Sequence, residues 1–308
     1  KLNIEAFIYI GGNDSMDTIK MLSDYAELKG KKQRFMGVPK TIDNDLPITD
    51  HTPGYGSAAK YIASSLKEVI RDNSSFGIEK PTVVVVEIMG RHAGWLTAAA
   101  ALSRGEDCEG PDMIYLPETD FDMDDFMARV KKLSEEKSSV VIAVSEGIKL
   151  ADGRFVCELG SASDYVDPFG HKQLSGCAVV LANKIQAELG LKSRAIEYST
   201  LQRAATHLAS LTDINEAFNA GYEACKAADD GKTGMMVTIE VVNREPYQVT
   251  YNIYDIHAIA NVERPVPAEW ITKDGTDLSD EYIKYARPLR MGGLQAVMVH
   301  GLPRDLVM

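Results

Sequence analysis

Pro81-Thr82-Val83-Val84-Val85-Val86-Glu87-Ile88-Met89-Gly90-Arg91-His92-Ala93-Gly94 runs through a block of β-branched residues and stops on a glycine and a cation. A strand that is apolar at successive positions has both faces covered, the pattern of a parallel sheet with helices on each side. Glycine at its end lets the backbone come close to a ligand, and an alanine-rich helix is expected from about 93–103. The same unit recurs along the chain. Residues 4–10 form an apolar run ending in Gly11-Gly12, followed by a helical stretch over 18–29 that Gly30 closes. A short strand at 113–116, a helix at 122–136 with acidic residues at its positive end, and a buried strand at 140–144 continue the alternation. Helical spacing marks 57–73, 177–189 and 214–228, while 37–53 reads as a long loop. Residues 235–242 and 247–253 read as an antiparallel hairpin at a sheet edge. Strands alternating with helices predict an α/β chain built on doubly wound, mostly parallel sheets.

The 308 residues suffice for two domains, though composition alone marks no boundary between them. With 33 Lys and Arg against 45 Asp and Glu, the net charge of -12 argues against nucleic acid or an anionic membrane as partner. A small anionic ligand stays compatible, because phosphate needs only a local set of N–H groups and cations. The four cysteines are scattered without a C-x-x-C pair, which predicts a reduced, cytoplasmic protein. The longest apolar stretches, 83–86 and 96–102, fall far short of a membrane span.

Two glycine patterns fail on context. Gly231-Lys232-Thr233 lacks the glycine that a P-loop needs five residues earlier, where Lys226 stands, and reads as a helix stop. Gly54-x-Gly56-x-x-Ala59 follows a polar loop and not a strand, so it makes a poor dinucleotide fingerprint. Three other segments agree in chemistry. Gly11-Gly12-Asn13-Asp14-Ser15 stands at a strand end before a helix, where open α/β sheets bind ligands; the alternative is a plain turn with Asp14 or Ser15 as N-cap. Pro39-Lys40-Thr41-Ile42-Asp43-Asn44-Asp45 gathers two carboxylates, a hydroxyl and an ammonium in one loop. Phosphoryl transfer needs those groups: a base for the acceptor hydroxyl, an acid to hold Mg²⁺, and a cation to offset charge. The bland alternative there is an Asx-rich surface turn. Met89-Gly90-Arg91 adds a cation suited to a phosphate, as do Arg194 and Arg203.

In this combination and order, together with Ser145-Glu146-Gly147, the motifs resemble those of the phosphofructokinase family over nearly the whole chain. The resemblance implies two Rossmann-like, doubly wound sheets flanked by helices. Residues 1–54 plus 207–308 would form a phosphoryl-donor domain, and 55–206 a sugar-phosphate domain. It implies that Asp43 takes the proton of the sugar's 1-hydroxyl, with Thr41 and Lys40 beside it. Gly11, Gly12, Asn13, Asp14, Ser15 and Lys40 would hold the donor, and Asn13 and Asp45 a Mg²⁺ ion. Fructose 6-phosphate would be held by Thr41, Asp43, Met89, Gly90, Arg91, Glu146, Arg194 and Arg203. One such arginine usually comes from a neighbouring subunit in this family, which implies a homo-oligomer, a dimer or tetramer.

Asp14 and Lys40 stand where ATP-using relatives usually carry glycine. A carboxylate at the first position would crowd and repel a nucleotide's α-phosphate, and an ammonium at the second would bind the far phosphate of a shorter donor. The pair resembles the pyrophosphate-dependent branch, so pyrophosphate is expected as donor in a reversible glycolytic step. ATP is the alternative donor. A non-catalytic sugar-phosphate-binding subunit is a second alternative, because Asn13 replaces a usual aspartate and the family's opening glycine loop is not found. On that last point, 4–10 reads as an internal strand of the first sheet, and a longer natural chain is expected. Thr82 stands where bacterial ATP enzymes carry a phosphate-binding arginine.

Overall fold

The computed structural model describes residues 3–76, 80–160, 176–294 and 296–304. Its contacts divide the chain into two compact units, one of Lys1–Ala58, Ala205–Arg264 and Arg287–Met308, the other of Ala59–Ala204 and Pro265–Ala286.

In the first unit, strand β1 (Ala6–Gly11) leads into helix α1 (Asn13–Leu28), and β2 (Arg34–Pro39) follows. The sheet is completed by β7 (Met235–Arg244) and β8 (Tyr247–Asp255) in the order β1-β2-β7-β8, parallel except for the final antiparallel hairpin. Its two faces are covered by different helices, as the alternation of β2 requires. Met36 and Val38 point into a cluster with Ala220, Ala224, Ala227 and Ala228 of α6 (Leu211–Asp229). Gly37 lies between them on the opposite face, where an added Cβ would meet Met16 Sδ of α1 at 2.6 Å. Met16 and Ile19 close that face with Met236 and Ile256. The last three residues of β2, 37–39, were expected to open a loop; the glycine and terminal proline disguise six residues of parallel pairing with β1.

In the second unit, helix α2 (Tyr55–Ser74), whose first turn belongs to the first unit, precedes β3 (Thr82–Ile88). Then come α3 (Trp95–Ala98) with a 3₁₀ continuation to Ser103, β4 (Met113–Tyr115), α4 (Met123–Glu136), β5 (Ser139–Ser145), α5 (Cys177–Leu189) and β6 (Lys192–Glu197). The sheet is all parallel, in the order β4-β5-β3-β6, so every residue of β3 is buried, as its valine run foretold. Val83 and Val85 pack on Phe126, Val130, Leu181 and Ile185, side chains that each contribute about 1.5–3 kcal/mol when removed from water. Segment 265–286, expected with the first sheet, belongs instead to the second unit. There it carries α7 (Asp280–Ala286) and sets Trp270 and Tyr285 against Trp95, at ring separations of 6.0 and 5.2 Å. Aromatic burial overrides the position in the chain. A short hairpin of β9 (Met298–Val299) and β10 (Leu302–Pro303) lies in the first unit.

Candidate active site

Parallel pairing of β1 and β2 places Gly11 opposite Pro39, so the loops that leave these strands start side by side. The Lys40 N–H donates to the Gly11 carbonyl at 2.9 Å and ties them together. Gly11 must be glycine, because a Cβ there would collide with the Cβ and Oγ of Ser15. Gly12 is the N-cap of α1 and provides no side-chain acceptor, so neither Asp14 nor Ser15 plays the capping role. The first-turn N–H groups are thus left without a side-chain cap, a setting that favours an anion. Asp14 and Lys40 are both exposed, and Lys40 makes no ion pair with the described residues.

Thr41 forms an isolated bridge to Gly54, with its N–H donating to the Pro53 carbonyl at 3.1 Å, so the segment between them is a closed loop. Within it the Thr41 hydroxyl donates to Asp43 Oδ2 at 3.2 Å and accepts the Asp43 N–H at 3.1 Å, which orients the carboxylate. Asp45 Oδ1 is buried without a hydrogen-bond partner. Burial, and then the charge of Asp43, push the Asp45 carboxyl up to about 6. A carboxylate oxygen in that condition fits a cation. Among the described residues no three or more His, Cys, Asp or Glu side chains converge on one point, so a metal here would take few ligands from the protein. Mg²⁺ commonly binds in that way, through one or two carboxylates with water and phosphate oxygens. Asn13 is committed elsewhere: its amide donates to the Val262 carbonyl at 3.0 Å and its oxygen accepts the Asn261 N–H at 2.9 Å.

Charged side chains that sequence reasoning passed over hold this loop. Asp213 of α6 accepts the Gly54 N–H at 2.7 Å and the Ser57 N–H at 3.1 Å. It thereby occupies the helix start that Gly54-x-Gly56 would offer a dinucleotide. Burial raises the Asp213 carboxyl in spite of those bonds. His51 lies buried between Asp50 Oδ1, at 2.9 Å from Nδ1, and Glu216 Oε2, at 2.6 Å from Nε2. Burial opposes protonation of His51, but the hydrogen bonds to Asp50 and Glu216 prevail and lift it to about 9. Arg244 donates to Asp50 at 2.6 Å and the Tyr247 hydroxyl to Glu216 at 2.8 Å, which carries the network onto β7 and β8. Asp50 is held below the usual carboxylate range: burial works against this, but His51 and Arg244 outweigh it. The only sequence signal for this network was the polar cluster Thr49-Asp50-His51-Thr52, which reads equally well as surface.

In the second unit, the loop after β3 is fixed through its backbone, with the Gly94 N–H donating to Glu118 Oε1 at 2.8 Å. The Ser145 hydroxyl donates to the Gly90 carbonyl, Glu146 Oε1 accepts the Gly90 N–H at 3.3 Å, and the Gln202 amide oxygen accepts the Met89 N–H at 3.3 Å. Gly90 has φ +144°, and a Cβ there would lie 2.7 Å from the Ala93 carbonyl oxygen, so no other residue fits. Met89, Gly90, Arg91 and Glu146 are thus brought to one place. Arg203 is exposed next to buried Gln202, whose amide reaches this loop. Glu87, buried on β3, accepts the Gly176 and Ala178 N–H groups at 3.1 and 2.9 Å and caps α5.

Arg194 lies elsewhere. It pairs in register with Val84, five residues and about 16 Å short of Met89 along the strand, and its guanidinium stacks 4.4 Å from the Phe76 ring centroid. Thr82 is buried and bonded to Asn73 at 2.8 Å, a structural use of that position.

The phosphofructokinase family pattern matches residues 1–228. A pyrophosphate–fructose 6-phosphate 1-phosphotransferase of Halomonas elongata is 40% identical over 302 residues, which is 98% of this chain and 71% of that protein. Among solved structures, a pyrophosphate-dependent phosphofructokinase from Nitrosospira multiformis aligns with a TM-score of 0.87 at 38% identity, covering 97% of this chain and 71% of that one. One from Marinobacter aquaeolei aligns at 0.86 and 35%, covering 98% and 71%.

Proposed function

The chain belongs to the phosphofructokinase family, and on that premise we propose that it moves a phosphoryl group from pyrophosphate to the 1-hydroxyl of fructose 6-phosphate, giving fructose 1,6-bisphosphate and phosphate. The observation that carries the choice of donor is that Asp14, in the first turn of α1, and Lys40, tied by its N–H to the Gly11 carbonyl, are both exposed, with Lys40 making no ion pair with the described residues. The Asp14 carboxylate meets a nucleotide's α-phosphate with like charge, whereas the Lys40 ammonium attracts the far end of a two-phosphate donor.

Asp43 accepts the proton of the 1-hydroxyl as that oxygen attacks the phosphorus, and the Thr41 hydroxyl keeps the accepting oxygen turned to its task. Lys40 and the uncapped N–H groups of α1 take up charge on the transferred and leaving phosphates. Mg²⁺, when bound at Asp45, supplies further neutralisation of phosphate charge. Asn13 serves chiefly as a strut between α1 and the turn at 261–262, its oxygen being shared with Asn261. In the second unit, Arg91 and Arg203 hold the 6-phosphate, while Glu146 and the Met89-Gly90 backbone hold the sugar. Both reaction directions are expected, because one phosphoanhydride bond is broken as one phosphate ester bond forms, with phosphate released.

Arg194, remote along its own sheet from Met89, acts on the sugar phosphate of a neighbouring copy, so the working form is a homo-oligomer. No helix among the described residues is long and apolar enough to cross a membrane, and the four cysteines are free thiols; a cytoplasmic location is part of the same proposal.

The test is Asp14→Gly with Lys40→Gly. ATP-supported turnover relative to pyrophosphate-supported turnover is expected to rise by about tenfold or more, equivalent to roughly 1.4 kcal/mol. An unchanged ratio would remove these two residues from the choice of donor.

A further inference from the structure

We propose that Arg264 is a positioning residue for the reaction: it clamps the 44–50 segment in a strained shape that places Asp43 and Asp45. This rests on the phosphotransferase reading of the loop, since it concerns how the same carboxylates are aimed. Two non-glycine residues of the segment have left-handed backbones, Asn44 at φ 56° and Ile48 at φ 69°. For asparagine the first is tolerable, and its side-chain oxygen accepts the Thr52 N–H at 3.0 Å as compensation. For a β-branched residue the second is an outlier, of the kind that persists only where the surroundings over-determine it.

Arg264 supplies that determination. Its N–H donates to the Asp45 carbonyl at 2.7 Å, and Nη2 donates to the Asn44 carbonyl at 2.8 Å. Nη1 donates to the carbonyls of Thr49 at 2.8 Å and Asp50 at 2.6 Å. Four carbonyls, two on each side of Ile48, thus converge on one residue. The far side is also bound to β7, through Asp50 N–H to the Ile239 carbonyl at 2.8 Å and Ile239 N–H to Thr49 Oγ1 at 3.0 Å. One end is anchored to the sheet; the other is anchored by Leu46, buried against Met16, Ile19 and Met236, and Arg264 is the residue that bonds to both ends, so the guanidinium fork sets how the carboxylates are aimed between those anchors. A lysine would keep the charge and lose the fork.

The experiment compares Arg264→Lys, Ile48→Gly and the double variant in the full chain. Arg264→Lys is expected to lower kcat by roughly 100-fold, the order of loss that a displacement near 1 Å brings, with KM for fructose 6-phosphate within about threefold. Adding Ile48→Gly should recover at least about tenfold of kcat, because glycine holds φ 69° without strain and needs no clamp. Ile48→Gly alone should stay within about twofold of the parent, since the clamp is intact. It serves as the test by itself if Arg264→Lys does not fold, a loss beyond about tenfold then contradicting the clamp. Amide exchange gives a readout that does not depend on turnover: Thr52, whose N–H is held by Asn44, should lose protection in Arg264→Lys by about tenfold, while Asp50, bound to β7, keeps its protection. Unchanged exchange with unchanged kcat would overturn the proposal. So would a loss of kcat that Ile48→Gly leaves unrepaired while KM for pyrophosphate rises, which would make Arg264 a donor-binding cation. Failure of the parent protein to use pyrophosphate would strike the functional reading and leave the exchange result standing.

Discussion

The loop that leaves β2 and the loop that leaves β3 occupy matching places at strand ends, yet one is long, strained and held by groups of both charges, and the other is short and held through its backbone by a hydroxyl, an amide and carboxylates under a fully buried strand. Ile48 and Asn44 have left-handed backbones, and the charged groups of His51, Asp50, Glu216, Asp213, Arg244 and Arg264 surround their loop. Around residues 89–94 the holders are Ser145, Gln202, Glu146 and Glu118, beyond a strand whose every residue is buried. The difference follows from the task. A loop that must present two carboxylates close together stores repulsion and strain, and buried counter-charges are a means of fixing it. A loop that offers backbone and an arginine to a phosphate needs only a rigid platform.

Substitutions in the two loops should therefore fail differently. Asp43→Asn is expected to lower kcat by about 1,000-fold with little change in KM for fructose 6-phosphate, measured by steady-state kinetics in the forward direction. Equal loss in KM would place Asp43 among the binding groups. Next in size, Glu216→Gln should destabilise the protein by about 3 kcal/mol in urea titrations, because a buried His51 loses one of its two carboxylate partners. The pH dependence follows from the same pair. His51 is lifted from 6.5 to about 9, so its contribution, of order 3 kcal/mol, is complete below pH 6.5 and is lost as pH rises through about 9. Stability should fall over that window in the parent and vary less in Glu216→Gln. A flat parent profile would mean that His51 is neutral.

Smaller effects are expected in the second loop. Arg91→Ala should raise KM for fructose 6-phosphate by roughly 30-fold, as loss of a charged hydrogen bond worth about 2 kcal/mol implies, with kcat changed far less. Gln202→Leu, which removes the acceptor for the Met89 N–H, should raise it by only about fivefold, near 1 kcal/mol. Were Gln202→Leu to act on kcat and stability as strongly as Glu216→Gln, the contrast between the two loops would collapse.

Much of the fold was legible because burial on both faces writes itself into sequence. Strand β3 and helix α5 begin and end where the apolar pattern does. Strands β2 and β6 were missed for physical reasons: β2 is interrupted by Gly37 and Pro39, and β6 is an edge strand carrying Lys192, Ser193 and Arg194 with little burial. The placement of 265–286 was illegible because aromatic packing between Trp95 and Trp270 joins residues far apart in the chain. At the candidate site, the motif residues could be proposed from sequence because each is a type that phosphoryl transfer demands. Their supports, Asp213, Glu216, Arg244 and Arg264, were not, since each lies well over a hundred residues from the loop it holds and nothing local distinguishes it from a surface charge.

The most direct measurement is formation of fructose 1,6-bisphosphate from fructose 6-phosphate and Mg²⁺ by the purified protein, with pyrophosphate and ATP compared at equal concentration. Rapid turnover with pyrophosphate and little with ATP is expected. Turnover with ATP and not with pyrophosphate, or binding of the sugar phosphate without turnover by either, would contradict the assignment of Asp14 and Lys40 to a short donor.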